Sequence, residues 1–372
     1  MVFYKIANLK LKLCLHSSSA FCFRQILRRD LPANAIFQHY KFASLNLRDN
    51  QRYSKAMLHF CMKQIMALLC SPHSYVNLCE EVSNTEMTQS IHNMKCGKAP
   101  GPDNIHPEFI KNLGSSDLKW LAAFFSICMR LNLLPKIWRK ANIIAMLKPS
   151  KDAKVPKSYR LISLLCVPFK NLERMILSRI TPYAEKCLPD FQAGFRAGRS
   201  TIDQVLQLCS IIEDGFQLKQ KTALALFDLT AAYNTVWHQN LRLKLLRTIP
   251  DKHLVAFIMK TLSNRRFVLR TSDGQESRAR HLKNRVPQGS ILAPCLFNIY
   301  ISDSPKTLST KLAYADDLAL AFTGPDWADV ENAMNRNLST LNTYYHQNRL
   351  QLSKEKLCMP CTILTHVTWE DD

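Results

Sequence analysis

Residues 311–322 read KLAYADDLALAF, with Tyr314, Ala315, Asp316 and Asp317 set between Leu312 and the apolar run Leu318 to Phe322. Apolar residues on both sides of two adjacent acids describe two short strands joined by a tight turn, because Asp favours turns while Leu, Tyr and Phe favour a sheet surface. The acids then sit at the tip. Two carboxylates at one tip repel each other and are costly to desolvate, so the pair is either solvated turn chemistry or the seat of a divalent cation.

A second acid stands in a related setting. Thr222 to Phe227 is almost wholly apolar and ends at Asp228, the pattern of a buried strand whose last residue emerges at a sheet edge. Beyond the hairpin, Trp327, Val330, Met334, Leu338, Leu341 and Tyr345 share one helical face, which is core packing. Upstream, Ser200 with Asp203 starts a helix whose apolar face is Val205, Leu208, Ile212 and Phe216. Helices are also expected over Ala56 to Cys70, Thr85 to Met94, Leu118 to Leu133, Val167 to Ile180, Ala231 to Leu245, Leu254 to Leu262 and Ile291 to Tyr300, and a strand over Ala141 to Leu147.

The whole chain has 372 residues, 47% of them hydrophobic and only 9 of them glycine, which excludes a disordered chain and allows two or three packed units. Fifty Lys and Arg against 29 Asp and Glu give a formal charge of +21, a balance that attracts polyanions, nucleic acid first. No apolar run reaches the roughly 18 residues of a membrane span, and an anionic membrane surface, the second polyanion, would need a basic amphipathic helix that the sequence does not show, so no membrane partner is expected. The 13 cysteines follow no regular spacing, which suits reduced thiols in the nucleus or cytoplasm, and the single pair Cys358 and Cys361 has no second pair to complete a zinc site. The leader holds Lys5, Lys10, Lys12, Arg24, Arg28 and Arg29 without an acid and reads as a basic extension or a transit peptide.

The basic residues cluster. Lys148, Lys151, Lys154, Lys157 and Arg160 crowd one loop and repel one another unless an anion lies among them, which points to a phosphate-bearing ligand or a solvated basic loop. Arg196 and Arg199 stand beside Gly194 and Gly198, glycines that allow backbone to come close to a ligand. Arg265 to Arg270 with Ser277 to Arg285 reads as a basic hairpin turning at Asp273 and Gly274.

In order along the chain, Lys98 to Asp103, Tyr159 to Leu164, Gly194 to Ser200, Phe227 to His238, Val286 to Pro294, Tyr314 to Leu318 and Asn348 to Lys356 together resemble the reverse transcriptase of non-LTR retrotransposons, the LINE or jockey-like class. The resemblance covers roughly Glu80 to Lys356. It implies an α+β right-hand polymerase fold, with fingers over 80–218 and a palm over 219–356 built on a small antiparallel sheet backed by helices. Residues 1–79 are then an N-terminal leader and helix, 357–372 a short tail, and the thumb is expected to be largely absent.

The same resemblance implies the chemistry: RNA-directed DNA synthesis from deoxynucleoside triphosphates on an RNA template and a DNA primer. Two Mg²⁺ ions about 3.5 to 4 Å apart, or Mn²⁺ in their place, serve such a transfer. Asp228 and Asp316 match the main ligands and Asp317 the third carboxylate. Tyr233 matches the aromatic gate against the 2′ hydroxyl, Lys148 and Arg160 the triphosphate holders, Gln288 and Gly289 the wall against the incoming base and template, and Lys356 a lysine near pyrophosphate. Arg265, Arg266, Arg270, Arg278 and Arg280 are expected to hold template or primer backbone without reading sequence.

Three positions depart from the pattern. Asn234 stands where Asp is common, Leu161 where Pro usually follows the arginine, and Arg285 where a glycine precedes Val286. With the absent thumb, they suggest a truncated copy and leave a second reading, a catalytically inactive, basic nucleic-acid-binding remnant.

Overall fold

A computed structural model describes residues 54–70, 76–271, 275–282 and 285–353. The basic leader, the turn at Asp273 and Gly274, Lys356 and the pair Cys358 and Cys361 lie outside the described residues. The strands are β1 (Lys140–Leu147), β2 (Tyr159–Leu164), β3 (Lys221–Asp228), β4 (Arg265–Arg270), β5 (Arg280–Leu282), β6 (Thr310–Tyr314) and β7 (Asp317–Gly324). With the helices around them they form an α+β molecule of two compact units. One unit holds 188–232 together with the described residues from Ile301 onward; the other holds the described residues up to Cys187 and those of Tyr233–Tyr300. The helix Thr201–Gln217 packs on the sheet of the first unit.

In the first unit the sheet order is β3-β7-β6, antiparallel throughout. Leu318 to Ala321 are buried in succession, so both faces of the central strand β7 are covered, and a run without polar alternation is what such a strand needs. Leu312 and Ala319 form a small core with Leu208 of the helix Thr201–Gln217 and with Leu224 and Leu226 of β3. That helix begins with the expected capping box, in which Ser200 and Asp203 satisfy each other's backbone amides. It runs close to the sheet at Gly215, where a Cβ would lie 2.5 Å from Thr222 Oγ1. The helix Trp327–Gln347 buries Val330, Met334, Leu341 and Tyr345, four of the residues expected on its inner face.

The second unit carries a four-stranded sheet of order β2-β1-β4-β5. β1 and β2 form an antiparallel hairpin whose loop is the lysine-rich 148–158 segment, and β4 runs parallel to β1 and antiparallel to β5. The core is aromatic: Trp138 packs against Phe124, Phe125 and Phe169 at centroid distances of 5.7, 6.0 and 5.7 Å. Gly101 lies against the start of the helix Val167–Cys187, with its missing Cβ 2.3 Å from Cys166 N, so no larger residue fits the turn-rich 97–103 segment there. The helix expected over Ala231 to Leu245 is instead two, Ala232–Thr235 and His238–Thr248. The amide of Trp237 at the break donates to the Tyr300 hydroxyl at 3.3 Å, a tertiary bond in place of a helical one.

Candidate active site

The acids of the first unit are brought together by strand register. Asp228, the last residue of β3, pairs directly with Asp317, the first residue of β7, and Asp317 pairs with Tyr314 at the end of β6. Ala315 and Asp316 are therefore the whole two-residue loop of the hairpin. Leu229 N donates to Asp316 O at 3.3 Å, so the chain leaving β3 is bonded to the turn itself. Beyond Asp228 the backbone is held again, with Ser353 N donating to Asp228 O at 2.8 Å and Thr230 N to Gln351 O at 2.8 Å. Directly opposed residues of an antiparallel pair face the same side, so Asp228 and Asp317 present their carboxylates together.

Burial grades the three. Asp228 is 8% exposed, whereas Asp316 and Asp317 are half-buried at the tip. Among the described residues no group of three His, Cys, Asp or Glu side chains forms a ready-made metal cluster. Hard oxygen donors arriving from two strands and a turn nevertheless fit Mg²⁺, which keeps several waters, takes one or two carboxylates and uses substrate phosphates instead of a protein cage.

The turn has a partner that the sequence did not flag. Gln192 is fully buried; its Oε1 accepts from Ala315 N at 2.9 Å and from Gly194 N at 2.8 Å, and its Nε2 donates to Ala315 O at 3.0 Å. Gly194 lies so close that a Cβ would meet Ala315 N at 2.1 Å. The close approach expected of this glycine is thus to the chain's own turn. Arg196 faces inward to Pro189 O and Gln192 O, while Arg199 pairs at the surface with Asp190.

The second unit gathers other expected residues around β2. Arg160 is exposed on β2, paired in register with Met146, and Lys148 is half-buried where β1 enters the loop. The Gln288–Gly289 segment is laid against the same strand: Ser163 N donates to Gln288 O at 2.9 Å. Gly289 has φ 118°, and a Cβ there would lie 2.5 Å from Ser163 O, so only glycine suits the position. Glu173, fully buried, holds the next residues by accepting from Ser290 Oγ at 2.5 Å and Ile291 N at 3.0 Å, and burial raises its pKa. An acid between Leu172 and Met175 on an apolar helix was the signal that could have revealed it.

Tyr233 lies in the short helix Ala232–Thr235, its ring stacked on Phe297 at 5.2 Å and its carbonyl bonded by Val286 N at 2.9 Å. Next to Val286, Arg285 has φ 135°, the backbone that a glycine takes readily and a side chain rarely does. His238 Nε2 lies 3.0 Å from Arg285 O and 3.3 Å from its N, and burial lowers the His238 pKa.

The arginine group divides. Arg266, Arg270, Arg278 and Arg280 are exposed, with Arg270 in a loose 3.8 Å pairing to Glu276. Arg265 does not belong with them. It is 1% exposed, donates to Thr261 O at 2.9 Å and lies 5.6 Å over the Phe169 ring. Strand alternation is the cause: Arg265, Phe267 and Leu269 face inward while Arg266 and Arg270 face out. Burial lowers its pKa, and the charge of Glu173 partly restores it.

The family model for reverse transcriptase (RNA-dependent DNA polymerase) matches residues 146–366, from the end of β1 through both acid positions. The chain belongs to the reverse transcriptase family. Among this family's members it is 31% identical over 290 residues to the probable RNA-directed DNA polymerase from transposon BS of Drosophila melanogaster, covering 75% of this chain and 32% of that protein. It is 32% identical over 252 residues to the RNA-directed DNA polymerase from mobile element jockey of Drosophila funebris, covering 65% and 27%. To the probable RNA-directed DNA polymerase from transposon X-element of Drosophila melanogaster it is 32% identical over 246 residues, covering 64% and 27%. These relatives place it with the reverse transcriptases of non-LTR retrotransposons; the chain spans between a quarter and a third of the length of these curated relatives. Reverse transcriptases generally use divalent metal ions and act on nucleic acid and deoxynucleoside triphosphates. No helix among the described residues is long and apolar enough to cross a membrane.

Proposed function

We propose that this chain is an RNA-directed DNA polymerase that extends a DNA primer on an RNA template, with Asp228, Asp316 and Asp317 as the ligands of two Mg²⁺ ions. The observation that carries the reading is the pairing of Asp228 with Asp317 beside the Ala315–Asp316 turn, which brings acids from two distant points of the chain to one end of the sheet. In this reading the β3-β7-β6 sheet with its two helices is the palm, and the β1–β2 hairpin belongs to the fingers.

When bound, the two cations would stabilise charge on the attacking 3′ oxygen and on the leaving pyrophosphate. The chain's own residues then bind and orient. Asp228, fixed between bonded backbone groups and mostly buried, keeps its carboxylate in one place; Asp316 and Asp317, more open, face arriving substrate. Arg160 presents a planar fork and Lys148 a point charge to the triphosphate. Gln288 and Gly289 bring backbone close to the base, and the Tyr233 ring, braced by Phe297, rejects a 2′ hydroxyl by bulk. Lys356 would add charge near pyrophosphate. Exposed Arg266, Arg270, Arg278 and Arg280 hold the nucleic-acid backbone without sequence preference.

Primer extension on an RNA template with Mg²⁺ tests the proposal. Synthesis by the chain that Asp316→Ala abolishes supports it, and equal signal from both proteins refutes it. Tyr233→Val should raise ribonucleotide incorporation on the order of tenfold or more; an unchanged sugar preference would remove Tyr233 from the gate. One observation favours the second reading, a basic nucleic-acid-binding remnant: the strained backbone at Arg285. Salt-sensitive RNA binding without synthesis is its signature.

A further inference from the structure

Gln192 follows Pro189 by a tight turn, its amide bonded to the Pro189 carbonyl at 3.2 Å, and the next residues run alongside β6. Ala313 N donates to Phe191 O at 2.7 Å and Ala193 N to Ala313 O at 2.9 Å, a parallel bridge that sets Gln192 level with the end of the strand. From there the Gln192 side chain reaches one residue past Tyr314 and engages both polar groups of the Ala315 peptide, as donor to the carbonyl and acceptor from the amide. Ala315 has φ 61°, in the left-handed region that alanine avoids, so an outside partner is needed to hold it there. An amide is the side chain that can give and take at once. The third bond, from Gly194 N to the same Oε1, orients the amide plane, and the close fit of Gly194 on Ala315 leaves the loop no room to shift.

We infer that Gln192 is a positioning residue that clamps the Ala315 peptide and thereby sets where Asp316 and Asp317 hold their carboxylates for the divalent ions and the nucleotide. It touches neither substrate nor metal. The inference rests on the polymerase reading above. Its physical content is that Asp316 follows Ala315 directly, so rotation of that peptide carries the carboxylate with it. Displacements of about 1 Å at reacting groups cost on the order of 100-fold in rate, and the loss of a residue that orients metal ligands typically weakens metal binding about 10- to 100-fold.

Gln192→Met keeps the length of the side chain and removes all three bonds. In the full chain, Mn²⁺ binding followed by loss of the free-ion electron paramagnetic resonance signal should weaken about 10- to 100-fold. In primer extension kcat should fall by a comparable factor while KM for the deoxynucleotide stays near that of the unsubstituted chain. Gln192→Glu keeps an acceptor for the two amides but sets an ionised carboxylate against the Ala315 carbonyl; it too should lower kcat with KM unchanged, and it decides the matter if the methionine variant does not fold. Gln207→Met, at an exposed glutamine, is the control and should match the unsubstituted chain in both measurements. Wild-type Mn²⁺ affinity and kcat in a folded Gln192→Met or Gln192→Glu protein would overturn the clamp alone. An unsubstituted chain that neither binds Mn²⁺ nor extends a primer would overturn the polymerase reading and the clamp with it.

Discussion

The acidic end of the first unit and the basic strands of the second are built on opposite plans. Asp228, Asp316 and Asp317 sit on backbone whose amides and carbonyls are bonded on several sides, so main-chain register decides where their charges lie. Arg160, Arg266, Arg270 and Arg280 project from strands on long, exposed side chains. Short acids on pinned backbone suit ions that demand near-fixed geometry. Long cations on a sheet surface suit a polyanion whose phosphates arrive at variable positions.

The contrast makes unequal demands on substitution. The largest effect is expected at Asp228→Asn, which keeps the shape yet removes the charge and turns one acceptor oxygen into an NH2 donor; synthesis should fall on the order of 1000-fold with the circular dichroism spectrum and melting curve preserved. Retained synthesis would mean that register alone does not make these acids functional. Next come two neighbouring arginines of one strand. Arg265→Ala should destabilise the protein by about 3 kcal/mol in denaturant unfolding, because a large buried side chain packed over Phe169 is lost together with one of the two cations that offset Glu173. Arg266→Ala should leave stability within about 0.5 kcal/mol and reduce the slope of log affinity for RNA against log salt by about 1. If both variants behave alike, the division between inward and outward arginines fails. A gain in stability is expected from Arg285→Gly, which relieves a φ of 135° and should stabilise by about 1 kcal/mol, read as a shift of the urea midpoint. No shift would show that the strain is absorbed elsewhere.

Local signals made the β6–β7 hairpin, the capping box at Ser200 and the helix Trp327–Gln347 legible, since each is specified by residues within a few positions of one another. Pairings across long stretches were not. The parallel match of β1 with β4 joins residues more than a hundred positions apart, and that match helps place Arg265 inside. Likewise the helix break at Trp237 depends on the Tyr300 hydroxyl, and the place of Gln192 depends on β6; neither partner leaves a trace near the residue it acts on. Of the candidate site, the acids could be picked out because charge inside apolar runs is conspicuous. A neutral amide such as Gln192 carries no such contrast.

A three-stranded sheet has two outer rims, and the rim along β6 is closed at Ala313 by the passing Phe191–Ala193 segment, which comes from far earlier in the chain. Unpaired strand rims recruit other strands, including those of neighbouring molecules. The loop before the helix Thr201–Gln217 therefore serves as a guard against aggregation as well as a brace. A fragment beginning after Ala193 would keep the hairpin and its acids yet lose that cover, and would be prone to associate with copies of itself through β6.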